Sequence, residues 1–200
     1  MAVYVTKFSS FEPSPLNPEE MPKLDYVDAL FRRRLSQITR MTIEVVHDVA
    51  DSAPGSKIVF ASFRGEIARQ LKINKGLVED ADVMPAPFSL SVFNTPPAAT
   101  TIALGIKAGY TAIYPAEDNF ASALVAAASG VLCGSERNVI FAYADEKIPG
   151  EYAECSGCTN AAPLAFACVL SCGSGRGGIE LSRYDFSSPQ EFLKFLRDAE

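Results

Sequence analysis

No apolar run in this sequence approaches the ~20 residues that a membrane-spanning helix needs, because even the stretch 121–133 is interrupted and short. The opening residues Met1-Ala2-Val3-Tyr4-Val5 lack the basic region and cleavage pattern of a secretion signal, so a cytoplasmic protein is expected. Histidine is nearly missing. His47 is the single one, and a general base needs a nucleophile within reach, which nothing nearby offers; a structural or exposed role is expected. Positive charge is in deficit, with 18 Lys and Arg against 24 Asp and Glu, a net charge of −6 and a pI near 4.9. That balance excludes a nucleic-acid surface built on clustered cations. The local exception is Arg32-Arg33-Arg34 with Arg40, which could meet an acidic carrier or partner but reads more simply as the solvated start of a helix.

Cysteine is present in an odd number, five, within an ordinary core-forming composition, so a secreted disulfide scaffold is not indicated and reduced thiols are expected. Cys155 and Cys158 form a Cys-x-x-Cys pair without a following helix to lower a thiol pKa. Cys168 and Cys172 fall in an apolar run on the face of Leu170, as buried small hydrophobes do. Zinc would need two matched pairs of ligands, and no metal is expected.

What is there suits one sizeable core. The 200 residues are 48% hydrophobic, too few for two comfortable domains, so residues 1–200 are expected to form a single domain with a Pro-rich loop at 12–22, where four prolines in eleven residues exclude regular structure. Strands are predicted at 2–11, 57–63, 110–114, 138–144, 161–171 and 179–184. Helices are predicted at about 34–52, 66–73, a short piece between the proline pairs of 83–97, 98–106, a helix near 120–132, and 189–196 capped by Ser187 or Ser188. The alternation favours a layered α/β domain. Gly173, Gly175 and Gly178 satisfy the spacing G-x-G-x-x-G, but a strand rather than a helix follows, so a hairpin turn is the better account.

The centre of the sequence is Tyr110 to Asp145. A β-branched and aromatic strand stops at Pro115. A small-residue helix with Phe120, Leu124, Val125, Ala128, Val131 and Leu132 at helical spacing follows, capped by Glu117 or Asp118 and closed by Gly130 or Gly134. The run 138–144 then reads as a strand covered on both faces. Such a strand-to-helix turn is where α/β enzymes often place a nucleophile. Here it reads Tyr114-Pro115-Ala116-Glu117-Asp118-Asn119, with no Cys, Ser or His.

The run Pro87 to Asn94, then Ile106 to Ile113, Glu117-Asp118-Asn119-Phe120, and Ala142 to Pro149 resembles the N-terminal half of β-ketoacyl synthases. It is most similar to the short ketosynthase-like branch of aryl polyene and related lipid pathways, whose members resemble chain length factors. The resemblance covers most of residues 1–185. It implies a thiolase-like half-domain, a mixed β-sheet covered by helices on both faces. It also implies a heterodimer with a full-length β-ketoacyl synthase and access to an acyl carrier protein through that partner, with no cofactor.

The family's catalytic Cys position is occupied by Ala116 or Glu117, and its two catalytic His residues belong to a C-terminal half that these 200 residues do not include. The expectation is therefore the fold and pairing mode of a condensing enzyme without its chemistry. The resemblance places the short helix and the central strand at the dimer interface beside an acyl tunnel. Phe88, Ser91, Phe93, Asn94, Tyr110, Ile113 and Tyr114 become the interface and tunnel-wall residues; without it, Phe88, Leu90 and Phe93 read as core. Two other readings stand beside this one. Glu117 at a helix N-terminus could make the chain a malonyl-carrier decarboxylase, against a bland role as a cap, or the chain could be an acyl-binding homodimer.

Overall fold

The computed structural model describes residues 2–81, 84–116, 119–152, 162–173 and 178–200. The strands are β1 (Val3–Phe11), β2 (Lys57–Ala61), β3 (Tyr110–Ile113), β4 (Asn138–Asp145), β5 (Leu164–Cys172) and β6 (Ile179–Glu180). The helices are α1 (Ala29–Arg32), α2 (Gln37–Ala50), α3 (Ile67–Asp80), α4 (Pro85–Ser89), α5 (Thr95–Leu104), α6 (Phe120–Leu132) and α7 (Pro189–Asp198). The strands form one sheet in the order β3-β2-β4-β5-β1-β6. β2 pairs parallel with both β3 and β4, while β5 is antiparallel to β4 and β1, so the sheet is mixed.

The central strands alternate between two buried faces, and the faces differ in size. Val139, Phe141, Tyr143, Phe166, Cys168 and Leu170 point to one side, where α6 and α7 cover them. Ile140, Ala142, Ala144, Ala165, Ala167 and Val169 point to the other, where α2 lies. Small strand residues let α2 bring its β-branched Ile38, Val45, Val46 and Val49 close to the sheet; the bulky side needs the wider separation that the Phe120 and Phe192 rings fill. A two-residue period with both faces apolar is why this region reads as an unbroken hydrophobic run.

Helix ends follow local chemistry. Ser188 caps α7, its hydroxyl accepting from the Glu191 N–H at 3.1 Å, while the Glu191 carboxylate accepts from the N–H and hydroxyl of Ser187. Ser188→Ala is expected to lower stability by about 1 kcal/mol in chemical denaturation, the usual loss for such a cap.

Several predicted boundaries need correction. The helix begun at Ile67 continues to Asp80 with no buried residue, because its second half is solvated and gives the apolar period nothing to mark. α5 starts at Thr95, not 98: Pro96 and Pro97 sit in the first turn, where a missing N–H costs nothing, so the prolines begin the helix instead of excluding it. It ends at Leu104 because Gly105, at φ +64, adopts the left-handed cap. α6 is capped by Asn119, whose side chain accepts from the Ser122 N–H at 3.2 Å; Glu117 and Asp118 lie outside the described residues. Gly130 lies within α6, and the chain leaves it through Cys133 and Gly134.

β5 and β6 are not a hairpin. β6 pairs with β1 across Tyr4–Glu180 and Val5–Ile179, so β1 separates them, and the strand expected to reach 184 stops at Glu180. The basic run begins as the end of α1. Arg32 donates to the carbonyls of Lys23 and Leu24 at 2.9 Å and pairs with Asp25, and Arg40 donates to the Arg32 carbonyl, so these cations tie down the segment before α2.

Candidate functional site

β3 is one of the two outer strands of the sheet, and among the described residues it is hydrogen-bonded to a strand on one side only. α5 flanks it on the α2 face, and α6 lies on the other. Five of the seven residues expected at the interface, Phe93, Asn94, Tyr110, Ile113 and Tyr114, lie here. Tyr110 opens β3, and its hydroxyl accepts from the Asn94 side-chain amide at 2.9 Å. The Phe93 ring meets Tyr114 edge to face at 6.1 Å and tilts over Phe60 at 6.3 Å. Ile113 lines a shallow cleft of about 150 Å³ with Thr111, Ala126 and Ser129.

Phe88 and Ser91 stand on and just after α4. Ser91 is buried and donates to the Phe88 carbonyl at 2.8 Å, whereas the Phe88 side chain is 54% exposed. Among the described residues, no hydrogen bond or ring contact joins either of them to β3. The reading of Phe88 as ordinary core does not hold for this chain by itself.

Several exposed apolar side chains lie on or next to β3 and the helices near it. Tyr114 is 61% exposed and Ile102 on α5 is 70% exposed, with Val92, Val125 and Leu132 also open. α6 carries no charged residue in 13 positions, although Ser122, Val125, Ala126, Ser129 and Leu132 face outward. A helix uncharged all round belongs in a covered position.

The turn between β3 and α6 offers no nucleophile among its described residues. Pro115 is buried, Ala116 is exposed, and the Ala116 carbonyl accepts from the Asn119 N–H at 3.0 Å. Cys133 lies at the opposite end of α6, roughly 20 Å away at 1.5 Å per residue. Cys168 is fully buried, and burial pushes its thiol pKa up; Cys172 donates to the Val131 carbonyl at 3.3 Å. Cys155 and Cys158 lie outside the described residues, and no group of metal-ligating side chains occurs among those described.

His47 stacks on Tyr26 at 3.9 Å, with Asp48 at 3.6 Å. Ser9 is close, but its hydroxyl donates to Asp48, not to the imidazole, so the trio lacks the order needed to activate a nucleophile.

A second polar cluster escaped the sequence reading. At the carboxyl ends of β2 and β4, Asp145 accepts from the Ser62 hydroxyl at 2.6 Å, the N–H groups of Phe63 and Arg64 at 3.1 Å, and the Tyr143 hydroxyl. Burial raises its carboxyl above the usual range despite these donors. Buried Glu66 accepts from the Ser36 and Thr39 hydroxyls at 2.6 Å and pairs with Arg69. Glu146, also buried, accepts from the N–H groups of Ala68 and Ile38, each in the first turn of its helix. Burial and the nearby Glu66 raise its pKa to about 7. Two carboxylates thus join the starts of α2 and α3 to the end of β4. The sequence signal was Asp145-Glu146 directly after an apolar strand, where acids are not solvated by default.

No described helix is long and apolar enough to cross a membrane. Among solved structures, the chain is similar to the complex of the ketosynthase ApeO with its chain length factor ApeC from Xenorhabdus doucetiae, at TM-score 0.74 and 21% identity over 88% of this chain and 81% of that one. It is also similar to the ishigamide ketosynthase/chain length factor, at TM-score 0.67 and 12% identity over 89% of this chain and 64% of that one. A third is the AntDE:AntF complex of a type II polyketide synthase acyl-carrier protein with its ketosynthase, at TM-score 0.63 and 12% identity, covering 85% and 62%. This chain therefore spans less than two thirds of the latter two. No curated protein sequence matches it. The mixed sheet between helical layers is the thiolase-like ketosynthase fold. The family model for the β-ketoacyl synthase N-terminal domain matches residues 9–191, and the chain belongs to that family.

Proposed function

We propose that this chain is the non-catalytic, chain length factor-like partner of a full-length β-ketoacyl synthase, in aryl polyene or related polyketide and fatty acid biosynthesis in the cytoplasm. The carrying observation is the β3 edge. It presents an open row of backbone groups beside Tyr114 and an uncharged α6, with an alanine exposed at the turn where condensing enzymes hold their thiol. An open sheet edge with apolar flanks is a surface for a second chain.

The partner supplies the Cys and both His residues for decarboxylative condensation of carrier-bound chains. This subunit closes the far end of the acyl tunnel, and Phe93 and Phe88 form its wall. Chain length is then a matter of volume, since forcing methylenes against packed side chains costs roughly 1–3 kcal/mol.

Phe93→Ala is expected to lengthen the product made by the reconstituted pair, read by mass spectrometry of the released chains. An unchanged product distribution from an assembled pair rejects the wall assignment. Turnover of malonyl-carrier by the chain alone, abolished in Glu117→Gln, overturns the non-catalytic reading.

A further inference from the structure

The loop between β2 and α3 touches the Phe93 ring from behind, and the contact leaves no room for a side chain. Gly65 sits at φ +58, and a Cβ there would lie 2.8 Å from Cδ2 of Phe93 and 3.7 Å from its Cα. A contact that short forces the ring to move. Its other neighbours are unequal: Phe60 is locked in the core, whereas Tyr114 is largely exposed. A displaced ring therefore swings toward Tyr114 and the open face.

The loop cannot retreat instead. The Ser62 hydroxyl donates to Asp145 at 2.6 Å and accepts from the N–H of Gly65 at 2.7 Å and of Arg64 at 3.2 Å. Asp145 holds the N–H groups of Phe63 and Arg64 as well, so residues 62–65 are clamped to the end of β4. Ser62 is fully buried, which keeps water from competing for these bonds.

We propose that Gly65 is a specificity-determining position: its missing side chain, held in place by the Ser62–Asp145 clamp, lets the Phe93 ring sit back and so sets the room left for the acyl chain. This rests on the reading of Phe93 as tunnel wall. Glycine serves two needs at this position, a left-handed backbone and a close approach.

The test is product length from the reconstituted pair of this chain and its ketosynthase, with Gly65→Ala, Phe93→Ala and the double variant side by side. Gly65→Ala is expected to shift the main product shorter by one extension unit, and Phe93→Ala to shift it longer. The double variant should match Phe93→Ala, because the added methyl then has no ring to push. Wild-type lengths from Gly65→Ala, with longer chains from Phe93→Ala, overturn the Gly65 assignment and leave the wall standing. Wild-type lengths from Phe93→Ala reject the wall and this inference with it. Backbone strain at residue 65 is common to the single and double variants, so a double variant that assembles where Gly65→Ala does not traces the defect to the ring and supports the proposal. Should neither assemble, Ser62→Ala decides: it frees the Gly65 N–H and should broaden the product range, and a wild-type distribution overturns the clamp.

Discussion

Phe120→Ala is expected to destabilise the chain by about 3–5 kcal/mol, the range for truncating a buried Phe. Phe120 is the first residue of α6 and is completely buried. Its ring centroid lies 5.7 to 6.2 Å from those of Phe141, Tyr143, Phe166 and Phe192. These come from two neighbouring strands and from α7, so one ring ties three elements to the start of α6. Edge-to-face and tilted pairs add to the area term, and the cavity left behind is bounded by stiff rings that cannot collapse into it. Domains of this size are stable by only about 5–15 kcal/mol, so the loss removes a large share. Urea denaturation should show a much lower midpoint at an unchanged slope, and Phe120→Leu should recover most of the difference. A loss of unfolding free energy under about 1 kcal/mol for Phe120→Ala would mean that α6 is anchored elsewhere.

The second large effect is a dependence on pH governed by Glu146. Its carboxyl titrates near 7 in the folded chain, against an ordinary value of 4.5. The folded state therefore keeps a proton that the unfolded state releases. Stability from this group is fully present below about pH 4.5 and declines as pH rises toward 7, at roughly 1.4 kcal/mol per unit of difference, on the order of 3 kcal/mol in all. The groups that act on it are Glu66, which raises the value, and Arg69 with the N–H groups of Ala68 and Ile38, which lower it; burial outweighs them. Buried Asp145 is displaced in the same direction and adds to the slope. Glu191, held down to about 2 by Ser187 and Arg183, acts in the opposite sense but only in stronger acid, outside this window. Glu146→Gln should flatten melting temperature between pH 5 and 8 and exceed the wild type most clearly at the alkaline end. A wild-type curve level across that range would show that Glu146 is not protonated in the folded chain.

Much of the architecture was legible because both faces of the central strands are buried. Unbroken apolar runs at 58–61 and 139–144 mark interior strands, and the small-residue period of α6 marks a covered helix, whatever covers it. The parts that were misjudged share a physical cause. α3 buries nothing, so its second half carries no periodic signal. α5 begins on prolines, which read as breakers until the first turn is recognised as their permitted place. The partner of β6 is β1, a pairing across most of the chain length that no local turn signal could reveal.

The aromatic and amide residues from Phe93 to Tyr114 enter the proposed site through a family likeness alone, and periodicity would send Phe88 and Phe93 into the core. The clamp at Ser62 and Asp145 carries no motif, since its donors come from a turn and its acceptor from a strand 83 positions later.

β3 is only four residues long, and alternate residues of a strand turn their hydrogen-bonding groups to the same side. About half of its backbone groups therefore remain for a neighbour. Such a short zipper grips weakly and tells one incoming strand from another poorly. In the proposed pair, fidelity in choosing a mate then resides in the shapes of α4, α5 and α6, and a graft of β3 alone into an unrelated protein should not carry the mating preference with it.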